Sequence, residues 1–343
     1  MPVNVFSLLP QELESRLAQF PAFRYRQLLH WLYGRFVFAP EHMTDLPLTL
    51  KDYLLENLSF ELPQIALEKA AQDQTTKYSL SLTDGENIEM VIIPAPKKRT
   101  LCVSSQVGCA RKCSFCATGR WGLTRNLSAA EIVGQILIAA SICKPERLTN
   151  LVFMGMGEPL DNLENVLKTL QIIQANNTLA FSPRRTTVST CGIPQQIIKL
   201  ADSGIKTKLA LSLNSAINAK RDNLMPINKI HPLEEIKSAL KYYLKKSTFR
   251  VTLEYILIPD INMGKDDIKA LRQFAGDLSC KINFIPYNIV PHLPYRSPTE
   301  IELQEFLQQA QSLHQAITLR RSRGAGICGA CGQLAGNHQG VTP

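Results

Sequence analysis

The sequence predicts an α/β fold in which parallel strands alternate with helices and close part of a (β/α)6-type barrel. A small N-terminal helical domain stands in front of it, and a β-hairpin connects the two. Three observations carry this prediction. Seven β-favouring stretches, at 100–105, 149–154, 184–189, 207–213, 250–258, 281–286 and 317–321, are separated by stretches of helical character. Before residue 70 the apolar residues recur at helical spacing instead. Between these regions KYSLSL and NIEMVII flank the turn signal TDGE, the pattern of a hairpin.

Taken in order, residues 1–70 hold helical segments at 10–20, 22–33 and 48–58. Pro21 breaks the first from the second, and the turn Asp45-Leu46-Pro47 precedes the third. Phe23, Leu28, Trp31 and Leu32 share one side of the second segment, while Arg24, Arg26, His30 and Arg35 make it basic. The unit is either a packing appendage or an RNA-binding accessory domain. Residues 71–98 form the hairpin and a linker through Pro94, Pro96 and the basic run Lys97, Lys98 and Arg99. Residues 99–343 make the barrel and a C-terminal cysteine segment. Ser128 and Glu131 form a capping box, with Leu127 and Ile132 as its hydrophobic staple, so a helix starts there. In barrels of this kind the chemistry lies at the C-terminal ends of the strands.

Composition sets the outer bounds. The chain has 343 residues, 45% hydrophobic and 20% charged, enough for one large core plus an appendage. A net charge of +9 and a pI near 9.1 suit a polyanionic partner such as nucleic acid. The longest apolar segment, 132–143, is interrupted by Gly134 and Gln135 and is too short to span a bilayer. No signal peptide is legible in the first thirty residues, and nine clustered cysteines do not read as a secreted disulfide framework. A cytoplasmic protein with no membrane contact is expected.

Chemistry concentrates in residues 101–121, LCVSSQVGCARKCSFCATGRW. Cys109, Cys113 and Cys116 follow Cys-x3-Cys-x2-Cys, a spacing that wraps thiolates around one face of an iron–sulfur cluster. Three protein ligands on a four-iron cubane leave one iron open for reaction. Phe115, just before the last ligand, shields such a cluster from water. A structural zinc site is the competing reading, but zinc modules pair two cysteine knuckles and no second knuckle lies nearby. Further strand ends carry small and polar groups: Gly155, Gly157 and Glu158 in MGMGEP, Ser189 in STCG, Ser212-Leu213-Asn214, and Asn288. Each alone reads as a turn or cap residue; their shared location makes a cofactor shelf. Glu89, in the second hairpin strand, reads as an exposed strand carboxylate or, if it faces a cleft, as a proton acceptor.

The motifs FRYRQLLHWLY, MTDLP, RTLCVSSQVGCARKCSFCATG, FMGMGEPL, STCG, LMPIN, NFIPYN and ACGQLAG occur in one order over nearly the whole chain. Together they resemble the radical-SAM adenine methyltransferases of RNA, the RlmN/Cfr family, and most closely its RlmN branch. The resemblance implies one 4Fe-4S cluster on Cys109, Cys113 and Cys116, and S-adenosylmethionine (SAM), two per turnover. It implies SAM contacts at Gly157, Glu158, Ser189, Ser212, Leu213, Asn214 and Asn288. Cys331 becomes the S-methylcysteine that carries the methyl group, Cys102 its transient disulfide partner, and Glu89 the proton acceptor. The implied reaction is methylation of carbon 2 of adenine 2503 in 23S rRNA and of adenine 37 in tRNA. It is fed by an electron donor such as flavodoxin or ferredoxin, in a monomeric protein. Carbon-8 methylation, as in Cfr, and a non-enzymatic zinc-stabilised RNA-binding protein are the alternatives. Sulfur insertion, a different radical-SAM reaction, fits neither Cys102 nor Cys331.

Two features depart from the family pattern. Asn214 stands where the family commonly has His, which excludes a titrating role there. Cys328 makes a Cys-x2-Cys with Cys331; it is either a bystander or able to form a disulfide with Cys331 that competes with the Cys102 pairing.

Overall fold

The structure is a computed structural model, and it describes residues 2–336. Its N-terminal unit begins with a short parallel pair, β1 (Val3–Asn4) on β2 (Leu58–Ser59). Between these strands lie helices α1 (Pro10–Arg16), α2 (Ala22–Leu29) and α3 (Leu48–Asn57). Phe6, Leu28, Leu32, Met43, Leu50 and Leu54 are fully buried at its centre. The helix expected at 10–20 stops at Arg16, where Leu17 turns out of helical geometry just ahead of Pro21.

The range expected to be helical also contains a strand, β3 (Gln64–Ala70). Its sequence, QIALEKA, is rich in good helix formers, and all its residues are exposed. Pairing with β4 (Thr76–Ser81) overrides that preference, since an edge strand gains its ladder from the neighbour rather than from its own propensity. The hairpin continues into β5 (Asn87–Ala95) and β6 (Lys98–Cys102), all antiparallel.

From β6 onward the chain alternates strand and helix. After β6 a two-stranded ribbon, β7 (Gln106–Gly108) with β8 (Leu123–Asn126), brackets the short helix α4 (Ala117–Arg120). Next come α5 (Ala129–Ile142), β9 (Asn150–Phe153), α6 (Leu163–Gln174), β10 (Thr186–Thr190), α7 (Pro194–Asp202) and β11 (Lys208–Ser212). The series ends with α8 (Asn218–Leu224), α9 (Leu233–Lys246), β12 (Val251–Leu257), α10 (Lys265–Ala275), β13 (Cys280–Pro286), α11 (Glu300–Ala310) and β14 (Ala316–Leu319). The strands form one sheet in the order β14-β13-β12-β11-β10-β9-β6-β5-β4-β3, parallel from β14 to β6. Among the described residues its two edges do not pair, so the barrel stays open. The connector hairpin is therefore part of the barrel sheet rather than a separate bridge. No helix among the described residues is long and apolar enough to cross a membrane.

Helix α5 carries the expected capping box: Glu131 N–H donates to Ser128 Oγ at 3.2 Å, and Ser128 N–H donates back to the Glu131 carboxylate at 2.7 Å. Its two apolar interruptions have structural causes. A Cβ on Gly134 would lie 2.6 Å from Cδ of Pro63, so glycine lets the N-terminal unit press against the barrel. Gln135 is fully buried and brackets Ser104, accepting from its N–H at 2.9 Å and donating to its carbonyl at 3.0 Å.

Candidate active site

The three cysteines of the Cys-x3-Cys-x2-Cys loop sit between β7 and α4. Gly108, with φ +77°, turns the chain out of the ribbon, and Cys109 N–H donates to Gly122 carbonyl at 2.6 Å. Cys116 N–H donates to Cys113 carbonyl at 3.1 Å, while Ser114 N–H reaches Leu224 carbonyl at 2.9 Å. Burial pushes the Cys109 thiol up to about 12, and Cys113 well above its ordinary value, with further pushes from the neighbouring thiols. Cys113 feels both Cys116 and Cys109, so the three sulfurs face a common space. Among the described residues no three His, Cys, Asp or Glu side chains converge as ligands of a single metal ion. The corners of a four-iron cubane stand farther apart than that, and three soft thiols on one loop are the donor set it takes. Phe115 is buried beside them. The residues present fit such a cluster.

Next to this loop the strand ends form a tightly bonded shelf. Ser104 Oγ donates to Glu89 carbonyl at 2.6 Å and accepts from Met156 N–H at 2.9 Å. Gln106 Oε1 accepts from Glu158 N–H at 2.8 Å. Gly157 has φ +97°, and a Cβ there would lie 2.5 Å from Gln106 Cβ, so both the turn and the contact require glycine. Glu158 is buried, its carboxylate accepting from Leu160 N–H at 3.1 Å and Cys191 N–H at 2.8 Å; burial still raises its pKa. Ser189 and Ser212 hydroxyls stand 3.5 Å apart on adjacent strands β10 and β11.

The Asn214 side chain faces inward rather than toward this space. Its Nδ2 donates to Met225 Sδ at 3.3 Å and its Oδ1 accepts from Ile256 N–H at 3.0 Å. Asn214 also adopts φ +56°, a conformation that Asn tolerates better than most residues. Leu213 is buried, and its carbonyl accepts from Arg221 Nε at 3.1 Å. Arg221 is fully buried and donates to the carbonyl of Cys191 and to Asn228, tying β10 and β11 together beneath the shelf.

The C-terminal segment closes this end of the barrel. Ala117 N–H donates to Gly332 carbonyl at 2.8 Å, Thr118 Oγ1 to Leu334 carbonyl at 2.7 Å, and Asn288 Nδ2 to Cys331 carbonyl at 3.0 Å. Asn288 therefore holds the cysteine segment directly. Cys331 lies close enough to Cys116 for a thiolate on one to disfavour a thiolate on the other. Together with Cys102 it lines a lumen cavity of about 400 Å³. Burial, then repulsion from Cys331, pushes the Cys102 thiol up to about 12, and Arg320 opposes the shift; Cys331 itself is exposed. Cys328 is exposed, and its carbonyl accepts from Lys77 Nζ at 3.2 Å.

Glu89 is not an exposed strand carboxylate. It is fully buried, paired with Lys77 at 2.9 Å, and accepts from Ala335 N–H at 2.9 Å. The carboxylate that lines the thiol cavity is Glu254 of β12, which accepts from Asn283 Nδ2 at 2.6 Å. Sequence reasoning passed over Glu254, Arg320, Arg221 and Lys77. One signal was available, because Glu254 is the only charged residue in VTLEYIL, a strand buried on both faces.

Residues 103–275 match the Radical SAM superfamily. The chain is 41% identical to the dual-specificity RNA methyltransferase RlmN of Desulfotalea psychrophila over 94% of its own length and 91% of that protein's. It is 40% identical to the RlmN of Geobacter sulfurreducens over 94% of its length and 88% of the relative's. A crystal structure of a radical SAM methyltransferase from Sphaerobacter thermophilus superposes with a TM-score of 0.93 at 38% identity, covering 97% of this chain and 99% of that one. The chain thus belongs to the radical SAM superfamily and, within it, to the RlmN family of RNA methyltransferases.

Proposed function

We propose that the protein methylates carbon 2 of adenine 2503 in 23S rRNA and of adenine 37 in tRNA, with Cys331 carrying the methyl group. The observation that supports this reading is the meeting of Cys102 and Cys331, far apart in sequence, in one cavity beside Cys116. Cys109, Cys113 and Cys116 hold the 4Fe-4S cluster, and Gly157, Glu158, Ser189, Ser212 and Asn288 are the groups closest to a shelf for SAM. Leu213 and Asn214 shape that shelf through their backbone. When bound, cluster and SAM together supply a methyl group for Cys331 and then a 5′-deoxyadenosyl radical that removes one hydrogen from it. The electron comes from a donor such as flavodoxin or ferredoxin.

The protein's own steps follow from the thiol pair. The S-methylene carbon on Cys331 bonds to carbon 2 of the adenine; the ring gives up one proton to a protein base and one electron, which the oxidised cluster, when bound, would accept. Cys102 thiolate then attacks the Cys331 sulfur, breaking its bond to the methylene carbon. That carbon takes a proton and leaves as the ring methyl, while the two sulfurs form a disulfide that a reductant must reopen. The family resemblance makes Glu89 the acceptor of the ring proton, and its carboxylate is held by Lys77 and by Ala335 N–H. Nucleoside mass spectrometry of rRNA and tRNA from cells with and without the gene tests the proposal. Loss of 2-methyladenosine from both RNAs is expected; loss of 8-methyladenosine instead, or no change, overturns it.

A further inference from the structure

The cavity that holds Cys102 and Cys331 runs the length of the lumen and reaches the opposite end of the barrel. Three lysines stand there: Lys98 opens β6, Lys208 opens β11, and Lys281 is the second residue of β13. All three line the cavity, and strand alternation puts two of them in phase with deeper lining residues, Lys98 with Cys102 and Lys281 with Asn283. Arg184 lies in the turn Pro183–Arg185 just before β10, outside the cavity lining but near enough for its charge to reach Lys208. Burial first, then Lys281, Lys98 and Arg184, push the Lys208 ammonium below its ordinary value, so these charges face one another. None of the four has an ion pair or a side-chain hydrogen bond among the described residues. Other lysines do find carboxylates, as Lys237 and Lys241 do on Asp277 and Lys246 does on Asp202.

The cavity lining carries six cationic side chains and one carboxylate, Glu254. Of the six, Arg321 is paired with Glu300 and Arg323 donates to Pro94 carbonyl, which leaves Lys98, Lys208, Lys281 and Arg320 facing the lumen. Glu254 offsets part of this charge through Arg320 and Lys281, and the excess of cations left in the recess is unfavourable until a further anion joins it. The other end is closed by the C-terminal segment on Ala117, Thr118 and Asn288. A volume of about 400 Å³ accommodates a single nucleotide and lies within the range of small-ligand sites.

We propose that Lys98, Lys208 and Lys281, with Arg184 near Lys208, form the phosphate-binding mouth through which the RNA delivers its target nucleotide. The base is drawn out of its stack and points along the lumen toward Cys331, while its flanking phosphates stay at the lysines. This rests on the RNA methyltransferase reading and adds to it the route and the residues that hold the substrate backbone.

Phosphate contacts are read by the salt dependence of binding, each contributing about 0.7–0.9 to the slope of log K against log salt. The probe is an RNA stem-loop bearing the target adenine, followed by fluorescence anisotropy with the full chain. Replacing all three residues (Lys98→Gln, Lys208→Gln, Lys281→Gln) is expected to reduce the slope by about 2 and to weaken low-salt binding at least tenfold. A control removes three exposed lysines elsewhere (Lys229→Gln, Lys245→Gln, Lys269→Gln) and is expected to change the slope by less than half as much. An unchanged slope in the mouth variant, or an equal loss in the control, overturns the proposal. So does competition by adenosine monophosphate as effective as that by the stem-loop, which would make the mouth a free-nucleotide site. Should the triple variant fail to fold, Lys281→Gln alone is expected to lower the slope by about 0.7, and no change there is the overturning result. Wild-type protein that fails to methylate the stem-loop defeats the enzymatic reading itself; wild-type methylation with an unchanged slope in the variant defeats only the mouth.

Discussion

The thiol of Cys102 shows how the site is held at rest. Burial and the facing Cys331 keep it protonated, with a pKa pushed up to about 12 from an ordinary 9.0. A raised acid pKa means that the folded state binds the proton more tightly. Its contribution to stability is complete below about pH 9 and is lost as pH rises toward 12. Cys102 in the RNA-free protein should therefore resist iodoacetamide at pH 8, with a labelling rate that rises about tenfold per pH unit above it. Peptide mass mapping across pH 8 to 11 checks this, and rapid labelling of Cys102 at pH 8 would contradict it. A second residue-scale prediction concerns Lys77 and Glu89, both buried. Lys77→Met takes the cationic partner from the buried Glu89 carboxylate and should cost about 3–5 kcal/mol, measured by urea unfolding. The double change Lys77→Met with Glu89→Leu should recover much of that loss, and a cycle showing no coupling would mean the pair does not act as a unit.

At the scale of elements, β6 and the cluster loop carry chemistry that only the neighbouring elements make usable. Helix α5 is the main brace, since Gln135 fixes Ser104, and Ser104 in turn fixes both Glu89 carbonyl and Met156. Gln135→Leu removes both partners of the buried Ser104 backbone and should destabilise by about 2–4 kcal/mol, with weaker SAM binding by isothermal titration. Equal SAM affinity in this variant would show that the shelf holds itself. On its other side α5 meets Pro63 through Gly134. Gly134→Ala gains helix propensity of about 1 kcal/mol but must push Pro63 away. Overpacking of this kind costs about 1–3 kcal/mol, so a lower Tm is expected, and a higher one would refute the close contact.

Across the whole molecule, what was legible in the chain was what local pattern encodes. The strands β9 to β14 overlap the expected stretches, with β10, β13 and β14 each overrunning one end, because a parallel sheet buries both faces and leaves near-continuous apolar runs. The cysteine loop and the Ser128 capping box are equally local. What was not legible depends on pairing between distant segments. QIALEKA becomes a strand only because β4 lies beside it. Glu89 is a buried ion-pair member only because Lys77 and Ala335 close over it. The ring of Lys98, Lys208 and Lys281 exists only because successive parallel crossovers bring the starts of β6, β11 and β13 to one mouth. Asn214 is explained by its positive φ and its bonds to Met225 and Ile256, neither visible in the run Ser-Leu-Asn.

The central claim is that Cys331 carries the methyl group and Cys102 releases it. The most direct measurement is intact and peptide mass spectrometry of Cys102→Ala protein purified from cells. The account predicts RNA bound covalently through a methylene bridge to the peptide that contains Cys331, and no such adduct in Cys331→Ala. Cys102→Ala protein that is free of RNA and turns over at the wild-type rate would contradict it.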